Sequence, residues 1–120
     1  MPTRALIVDD HPSFRRFARK LLESAGCDVV GDAEDGATAI AAVQELAPDL
    51  VLLDVLLPDM TGFDVAEEIA AGGSRPLIVL TSSRTASDFG SLLKTHHART
   101  FIAKEDLTLA ALATLAGEAA

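Results

Sequence analysis

The chain has 120 residues, a length that suits one compact domain, and 49% of them are hydrophobic while 23% are charged. This composition is typical of globular proteins and argues against disorder. The formal net charge of −8 would repel a phosphate backbone, so we expect no direct binding of DNA or RNA by this chain. No apolar run approaches the roughly 18 residues of a membrane span, and we therefore expect a cytoplasmic protein without a membrane partner.

Short apolar runs alternate along the chain with longer amphipathic stretches. In chain order, we predict strands at 5–8, 27–30, 50–53, 77–80 and 100–103, and helices at 13–25, 36–46, 63–71, 86–96 and 107–116. Phe14, Phe17 and Leu21 recur at helical spacing, whereas the run 50–53 is apolar throughout, as in a strand buried on both faces. Five strand–helix units in a row predict an α/β protein, a single domain over 1–120 with a parallel sheet covered on both faces.

Polar residues stand where four of the predicted strands end. They are Asp9 and Asp10 after the first strand, Asp54 after the third, Thr81 after the fourth and Lys104 after the fifth. In open α/β sheets, ligands bind in the crevice at the carboxyl ends of the strands. Any one of these residues can simply cap a strand where a loop begins, but the combination of three acids, a hydroxyl and a lysine favours a functional site.

Charge suggests the chemistry of this edge. Neighbouring carboxylates raise one another's pKa, and a divalent cation relieves their repulsion. Oxygen ligands suit Mg²⁺, which binds carboxylates together with phosphate oxygens. A carboxylate is also a nucleophile that forms aspartyl-phosphates. In such a site Lys104 and Thr81 would supply a positive charge and a hydrogen bond to the phosphoryl oxygens.

The sequence resembles the receiver domains of bacterial two-component response regulators in four segments: VDDHPSFR at 8–15, LVLLDVLLPDMTG at 50–62, IVLTSS at 78–83 and FIAKEDL at 101–107. The first and last segments are most similar to the NarL/LuxR-type subfamily. The resemblance implies a doubly wound, flavodoxin-like fold with strand order 2-1-3-4-5 and five helices on both faces. Receivers of that subfamily usually precede a helix-turn-helix domain, so either a stand-alone regulator or part of a longer one fits this chain.

The same resemblance implies a role for individual residues. It makes Asp54 the phosphoacceptor and assigns the Mg²⁺ ligands to Asp9, Asp10, Asp54 and the backbone carbonyl of Leu56. It makes Thr81 and Lys104 the phosphoryl-binding pair and Phe101 an aromatic switch, although Phe101 could also be a plain core residue. Pro58 and Gly62 would shape the loop after the phosphoacceptor.

Two positions depart from the common pattern of the family. Glu105 follows the lysine where many receivers have a proline with a cis peptide bond, so the loop there would be arranged differently. Leu56 stands two residues after the phosphoacceptor, where polar residues are frequent, and Ser83 occupies the matching position two residues after Thr81. Because Leu56 cannot orient a water molecule, we expect this pair to lengthen the lifetime of the phosphoryl group.

The expected function is that of a signalling module rather than an enzyme. A histidine kinase would phosphorylate Asp54, and the domain would catalyse only its own phosphorylation and slow dephosphorylation. A Mg²⁺-dependent phosphatase would need a second acid at position 56, where leucine stands. A receiver fold that acts as a phosphorylation-independent interaction module is the alternative, and the complete set of site residues argues against it.

Two surfaces could meet partners. The helix 107–116 is rich in leucine and could form a homodimer face or simply pack on the sheet. Its leucines are Leu107, Leu109, Leu112 and Leu115. A basic stripe on the first helix, formed by Arg15, Arg16, Arg19 and Lys20, could dock a histidine kinase or be a solvated face.

The cysteine and the three histidines have ordinary structural interpretations. Cys27 is the only cysteine, which excludes an intramolecular disulfide, and we expect a small buried side chain. We expect His11 to be a loop residue of the family motif. His96 and His97 lie near the end of a predicted helix, where polar residues suit the helix dipole.

Overall fold

A single parallel sheet forms the centre of the molecule. The computed structural model describes residues 2–83 and 100–119. The five strands are β1 (Arg4–Val8), β2 (Asp28–Ala33), β3 (Leu50–Asp54), β4 (Leu77–Ser82) and β5 (Thr100–Ala103). Neighbouring strands pair in parallel in the order β2-β1-β3-β4-β5. The predicted parallel sheet and its strand order are therefore confirmed.

Four α-helices lie within the described residues. They are α1 (Pro12–Ser24), α2 (Gly36–Leu46), α3 (Gly62–Ala71) and α4 (Leu109–Ala119), and a 3₁₀ turn, Lys104–Asp106, precedes α4. The helix predicted at 86–96, with His96 and His97, falls outside the described residues. Across 2–83 and 100–119, no helix combines the length and the apolar composition that crossing a membrane requires.

Both faces of the sheet are covered because successive side chains of a strand point to opposite faces. On β3, Val51 and Leu53 pack into one hydrophobic cluster with residues of α2 and α3. Leu50 and Leu52 pack into a second cluster with residues of α1 and α4. All five residues of β3 are buried, as expected for a central strand with four apolar residues in a row, and the burial extends to Asp54 at its end.

The observed elements differ from the predicted ones mainly at their ends. β2 continues to Ala33, three residues beyond the predicted end, and its mixed burial pattern fits a strand at the edge of the sheet. β4 continues to Ser82, so Thr81 lies inside the strand and not after it. The last helix begins two residues later than predicted, because the 3₁₀ turn precedes it and the Thr108 hydroxyl accepts a hydrogen bond from the Ala111 amide at 3.1 Å.

Cys27 and most leucines of the predicted helix 107–116 are buried. Cys27 is a buried free thiol, and burial raises its pKa, so the thiol is protonated and unreactive at neutral pH. Three of the four leucines in the predicted helix 107–116 are buried in the core: Leu107, Leu112 and Leu115. Leu109 is exposed. Packing on the sheet therefore accounts for most of the leucines, and a dimer face would have to be built around Leu109.

Candidate functional site

The carboxyl edge of the sheet brings the predicted site residues together. Asp9 and Asp10 follow β1, Asp54 is the last residue of β3, and Lys104 follows β5 directly. Ligand-capable atoms of four residues lie within 4.8 Å of one another: those of Asp9, Asp10, His11 and Asp54. The parallel arrangement explains the cluster, because residues 45 positions apart in sequence meet where adjacent strands end.

Asp9 is fully buried, and each of its carboxylate oxygens lies close to a polar or charged neighbour. Its Oδ1 accepts a hydrogen bond from the His11 amide at 2.8 Å and lies 3.0 Å from the His11 ring Nδ1. Its Oδ2 lies 2.6 Å from the Lys104 Nζ. Arg15 donates a hydrogen bond to its carbonyl oxygen at 2.6 Å. Buried polar groups need such contacts, which fix the position of the Asp9 side chain at the base of the site.

Asp54 is only 4% exposed, and its environment is less favourable to charge. Burial and the neighbouring Asp9 carboxylate raise the pKa of Asp54 to about 6. The Lys104 Nζ lies 3.5 Å from the Asp54 carboxylate, and the Leu56 amide donates a hydrogen bond to its Oδ1 at 3.3 Å. Both contacts lower the pKa of Asp54 and so oppose part of this increase. Asp54 is therefore an anion at neutral pH that is poorly compensated, and added positive charge would stabilise it.

Lys104 is the cation of the site. Its ammonium group contacts both Asp9 and Asp54, and it lies 4.3 Å from the centre of the Phe14 ring. The ring therefore adds a cation–π contact to the two carboxylate contacts of the ammonium group. Phe14 is a site residue that the sequence pattern does not predict. The signal was present, since Phe14 lies in the first turn of α1, four residues after the acid pair, but its helical spacing with Phe17 indicated only a core residue.

Thr81 contributes a buried hydroxyl group. In the sheet register it pairs with Asp54, and the Val55 amide donates to its carbonyl oxygen at 2.9 Å. Its Oγ1 is buried, and no residue within the described ranges offers it a hydrogen-bond partner. A buried hydroxyl without a partner is costly, so it marks a place where a ligand oxygen would be accommodated.

An open cavity of about 320 Å³ gives access to the site. Six predicted site residues line it: Asp10, Asp54, Leu56, Pro58, Ser83 and Lys104. His11, Leu57 and Ser82 complete the lining. Leu56 is 48% exposed and Ser83 is exposed, so both flank the approach to Asp54. Phe101 lies apart from this lining. It is half-buried on β5 and packs against the cluster under α2 and α3.

The loop between β3 and α3 passes close to the phosphoacceptor candidate. A Cβ atom on Gly62 would lie 2.5 Å from the Asp54 carbonyl oxygen, so only glycine allows this approach. The Gly62 amide donates to the Val55 carbonyl at 2.7 Å, and Leu56 pairs with Thr61 in a short antiparallel bridge. Thr61 is the N-cap of α3 and forms a capping box with Asp64.

The basic stripe on α1 is divided by its contacts. Arg15 and Arg19 lie 3.8 Å and 3.9 Å from the Asp32 carboxylate, and Arg15 also holds the Asp9 backbone. Arg16 and Lys20 are exposed. Two of the four residues are thus engaged with their own domain, and two remain directed to solvent.

The residues present fit a hard divalent cation. The cluster offers carboxylate oxygens on a largely buried base, and the poorly compensated Asp54 would gain from additional positive charge. The Thr81 hydroxyl, which has no hydrogen-bond partner within 2–83 and 100–119, lies on the adjacent strand, where it could meet an anionic group held beside such a cation.

Residues 5–114 match the family model described as the response regulator receiver domain. The chain belongs to the response regulator receiver domain family. Its fold agrees closely with the receiver domain of the putative response regulator NarL from Mycobacterium tuberculosis, with a TM-score of 0.88 and 28% identity. That match covers 98% of this chain and 94% of the other. The receiver fold that the four segments imply is thereby confirmed.

Curated relatives place this receiver domain within two-component signalling. It is 42% identical over 90 residues to the DNA-binding response regulator MtrA from Mycolicibacterium smegmatis, covering 73% of this chain and 38% of MtrA. It is 40% identical over 94 residues to the nitrate/nitrite response regulator NarP from Escherichia coli, covering 77% of this chain and 44% of NarP. The chain thus matches less than half the length of either relative, and NarL/LuxR-type regulators are among the proteins that it resembles.

Proposed function

We propose that this receiver domain accepts a phosphoryl group on Asp54 from the phosphohistidine of a histidine kinase. The proposal rests on a buried, poorly compensated Asp54 carboxylate that lies beside Thr81 on the adjacent strand. No described residue offers the buried Thr81 hydroxyl a hydrogen-bond partner. A carboxylate oxygen would attack phosphorus, and the bond between phosphorus and the histidine nitrogen would break. The product is an acyl phosphate on Asp54, and the kinase histidine would leave as a neutral imidazole whose other ring nitrogen carries a proton.

We propose Mg²⁺ as the cation, held by Asp9, Asp10, Asp54 and the backbone carbonyl of Leu56. When bound, the metal would neutralise charge on the transferring phosphoryl group. The protein itself would contribute one positive charge and one hydrogen-bond donor. Lys104 is already in place beside Asp54, and the Thr81 hydroxyl is available for a phosphoryl oxygen.

Phosphorylation would act as a switch through these same two residues. The phosphoryl group carries roughly 1.5 to 2 negative charges and takes the place of the single charge of the Asp54 carboxylate, whose oxygen becomes part of the acyl phosphate. Thr81 on β4 and Lys104 after β5 would then gain a common partner, which favours one arrangement of the β4–β5 edge. Phe101 on β5 would respond through its rotamer. Moving such an equilibrium from nearly off to nearly on takes about 5.5 kcal/mol, and charge-assisted hydrogen bonds could supply much of it.

The domain is proposed to be a signalling module without a separate substrate. A phosphatase of the aspartyl-phosphate type needs an acid at position 56, and the half-exposed Leu56 side chain cannot donate a proton. The exposed Leu56 and Ser83 side chains flank the path of an attacking water, so slow hydrolysis is expected. The exposed residues Arg16 and Lys20 are proposed for kinase docking, and the face around Leu109 for a homodimer.

The output is proposed by analogy with the longer relatives. MtrA is a DNA-binding response regulator, and this receiver domain matches 38% of its length. We propose that DNA binding, if it occurs, resides in a separate domain, since the net charge of −8 disfavours contact between this chain and a phosphate backbone.

The direct test is phosphorylation by a small-molecule donor. The protein is incubated with Mg²⁺ and acetyl phosphate, and intact mass spectrometry measures the gain of one phosphoryl group. We expect one group on the wild type and none on Asp54→Asn or in the presence of EDTA. An Asp106→Asn variant, which removes an exposed acid, should label like the wild type. Absence of label on the wild type would favour the phosphorylation-independent interaction module.

A further inference from the structure

The loop that follows the phosphoacceptor is tied to a helix from a distant part of the chain. Asp59, in the middle of this loop, accepts a hydrogen bond from the Gly36 amide on Oδ1 at 2.8 Å. Its Oδ2 accepts one from the Ala37 amide at 3.0 Å. These are the first two amides of α2, which have no partner within the helix itself. A single side chain thus joins the β3–α3 loop to the start of α2.

The contact is reinforced by packing and charge. A Cβ atom on Gly36 would lie 2.4 Å from the Met60 Cγ, so glycine lets the loop rest directly on the helix start. The carboxylate faces the positive end of the α2 dipole. The hydrogen bonds from Gly36 and Ala37 lower the pKa of Asp59, in keeping with a carboxylate that is held as an anion.

A second aspartate caps the same helix through a hydrogen bond within the helix. The Asp35 side chain accepts a hydrogen bond from the Thr38 amide at 2.8 Å, which is the usual N-cap contact. Asp35 and Asp59 therefore share the task of capping α2. The contacts to Gly36 and Ala37 distinguish Asp59, because they also determine where the loop lies.

The other end of that loop reaches the acidic cluster within a few residues. The Leu56 amide donates to the Asp54 carboxylate at 3.3 Å, and the Leu56–Thr61 bridge closes the loop. Asp59 stands between the two bridged positions. Any displacement of Asp59 from α2 would therefore be passed to the backbone of Leu56 and so to the surroundings of Asp54.

We propose that Asp59 is a positioning residue for the phosphorylation site, acting through the backbone of Leu56. By holding the β3–α3 loop against the start of α2, it places the Leu56 amide and carbonyl beside Asp54. This inference rests on the proposed function, since it assigns the Leu56 carbonyl to the cation. No direct contact between Asp59 and the phosphoryl group is involved.

The experiment compares Asp59→Ala with Asp35→Ala as a matched control. Each variant removes one aspartate that caps α2, but only the first releases the loop. Isotope-labelled proteins are titrated with Mg²⁺ by NMR, and amide hydrogen exchange is measured at Leu56 and Gly62 without metal. We expect Asp59→Ala to raise the Kd for Mg²⁺ about tenfold and to accelerate exchange at both amides. Asp35→Ala should leave both quantities within twofold of the wild type.

A conservative variant separates positioning from general loss of stability. Asp59→Asn retains one acceptor oxygen, so its Kd for Mg²⁺ should lie between that of the wild type and that of Asp59→Ala. If Asp59→Ala does not fold, Asp59→Asn takes its place as the main variant. Equal weakening of Mg²⁺ binding by Asp35→Ala would overturn the inference, and so would an unchanged Kd in Asp59→Ala and Asp59→Asn. A wild type that binds no Mg²⁺ would instead refute the proposed function itself.

Discussion

The raised pKa of Asp54 predicts that replacing this residue stabilises the domain. Burial and the Asp9 carboxylate raise the pKa of Asp54 from its ordinary value of 3.8 to about 6. One pKa unit corresponds to about 1.4 kcal/mol, so keeping Asp54 ionised in the folded state costs roughly 2–3 kcal/mol at neutral pH. Asp54→Asn removes that cost and retains an oxygen that can accept the hydrogen bond from the Leu56 amide.

The sign of the pH dependence follows from proton binding. Between pH 3.8 and about 6 the folded state binds more protons at Asp54 than the unfolded state does. Stability therefore falls as the pH rises through this window, and the loss persists above it. Asp54→Asn should be more stable than the wild type by roughly 2–3 kcal/mol near pH 7.5, and the difference should shrink towards zero near pH 4.

The measurement is urea unfolding followed by far-ultraviolet circular dichroism, because the chain contains neither Trp nor Tyr. EDTA keeps divalent cations away from the site. Asp106→Asn removes an exposed acid on the 3₁₀ turn and controls for the change in net charge, with an expected effect below about 0.5 kcal/mol. A stability difference for Asp54→Asn that is the same at both pH values would refute the reasoning, since it could not come from the ionisation of Asp54.

Three further predictions concern the surroundings of Asp54. Leu56→Asn introduces a side chain that can orient water, so it should shorten the lifetime of the phosphoryl group severalfold. Loss of the label with time measures this lifetime, and an unchanged rate would contradict the role given to Leu56. Phe14→Leu removes the ring beside the Lys104 ammonium group and should slow labelling by acetyl phosphate two- to fivefold, corresponding to about 0.5–1 kcal/mol. Phe17 is exposed, and Phe17→Leu should leave the labelling rate unchanged. Gly62→Ala places a methyl group against the Asp54 carbonyl and should lower the free energy of unfolding by about 1–3 kcal/mol, while Gly117→Ala, which meets no atom within 4 Å, should be neutral or stabilising.

The sequence alone determined the architecture and the residues gathered at the carboxyl edge of the sheet. Apolar runs such as 50–53 and the amphipathic stretches between them depend on local patterning, so their type could be predicted without a structure. Once the strands are parallel, their ends share one edge, and Asp9, Asp54 and Lys104 must meet there. Boundaries were less certain, as with Thr81, because pairing with β3 and β5 extends β4 beyond its apolar run.

Only the tertiary structure decided the contacts of these residues. Nothing in the local pattern says that Phe14 faces Lys104, or that the Thr81 hydroxyl lacks a partner among the described residues. The capping of α2 by Asp59, more than twenty positions away, was equally hidden. Such contacts depend on the register of the strands and on the paths of the loops between them. Those features arise when the whole chain packs, and a short segment does not encode them by itself.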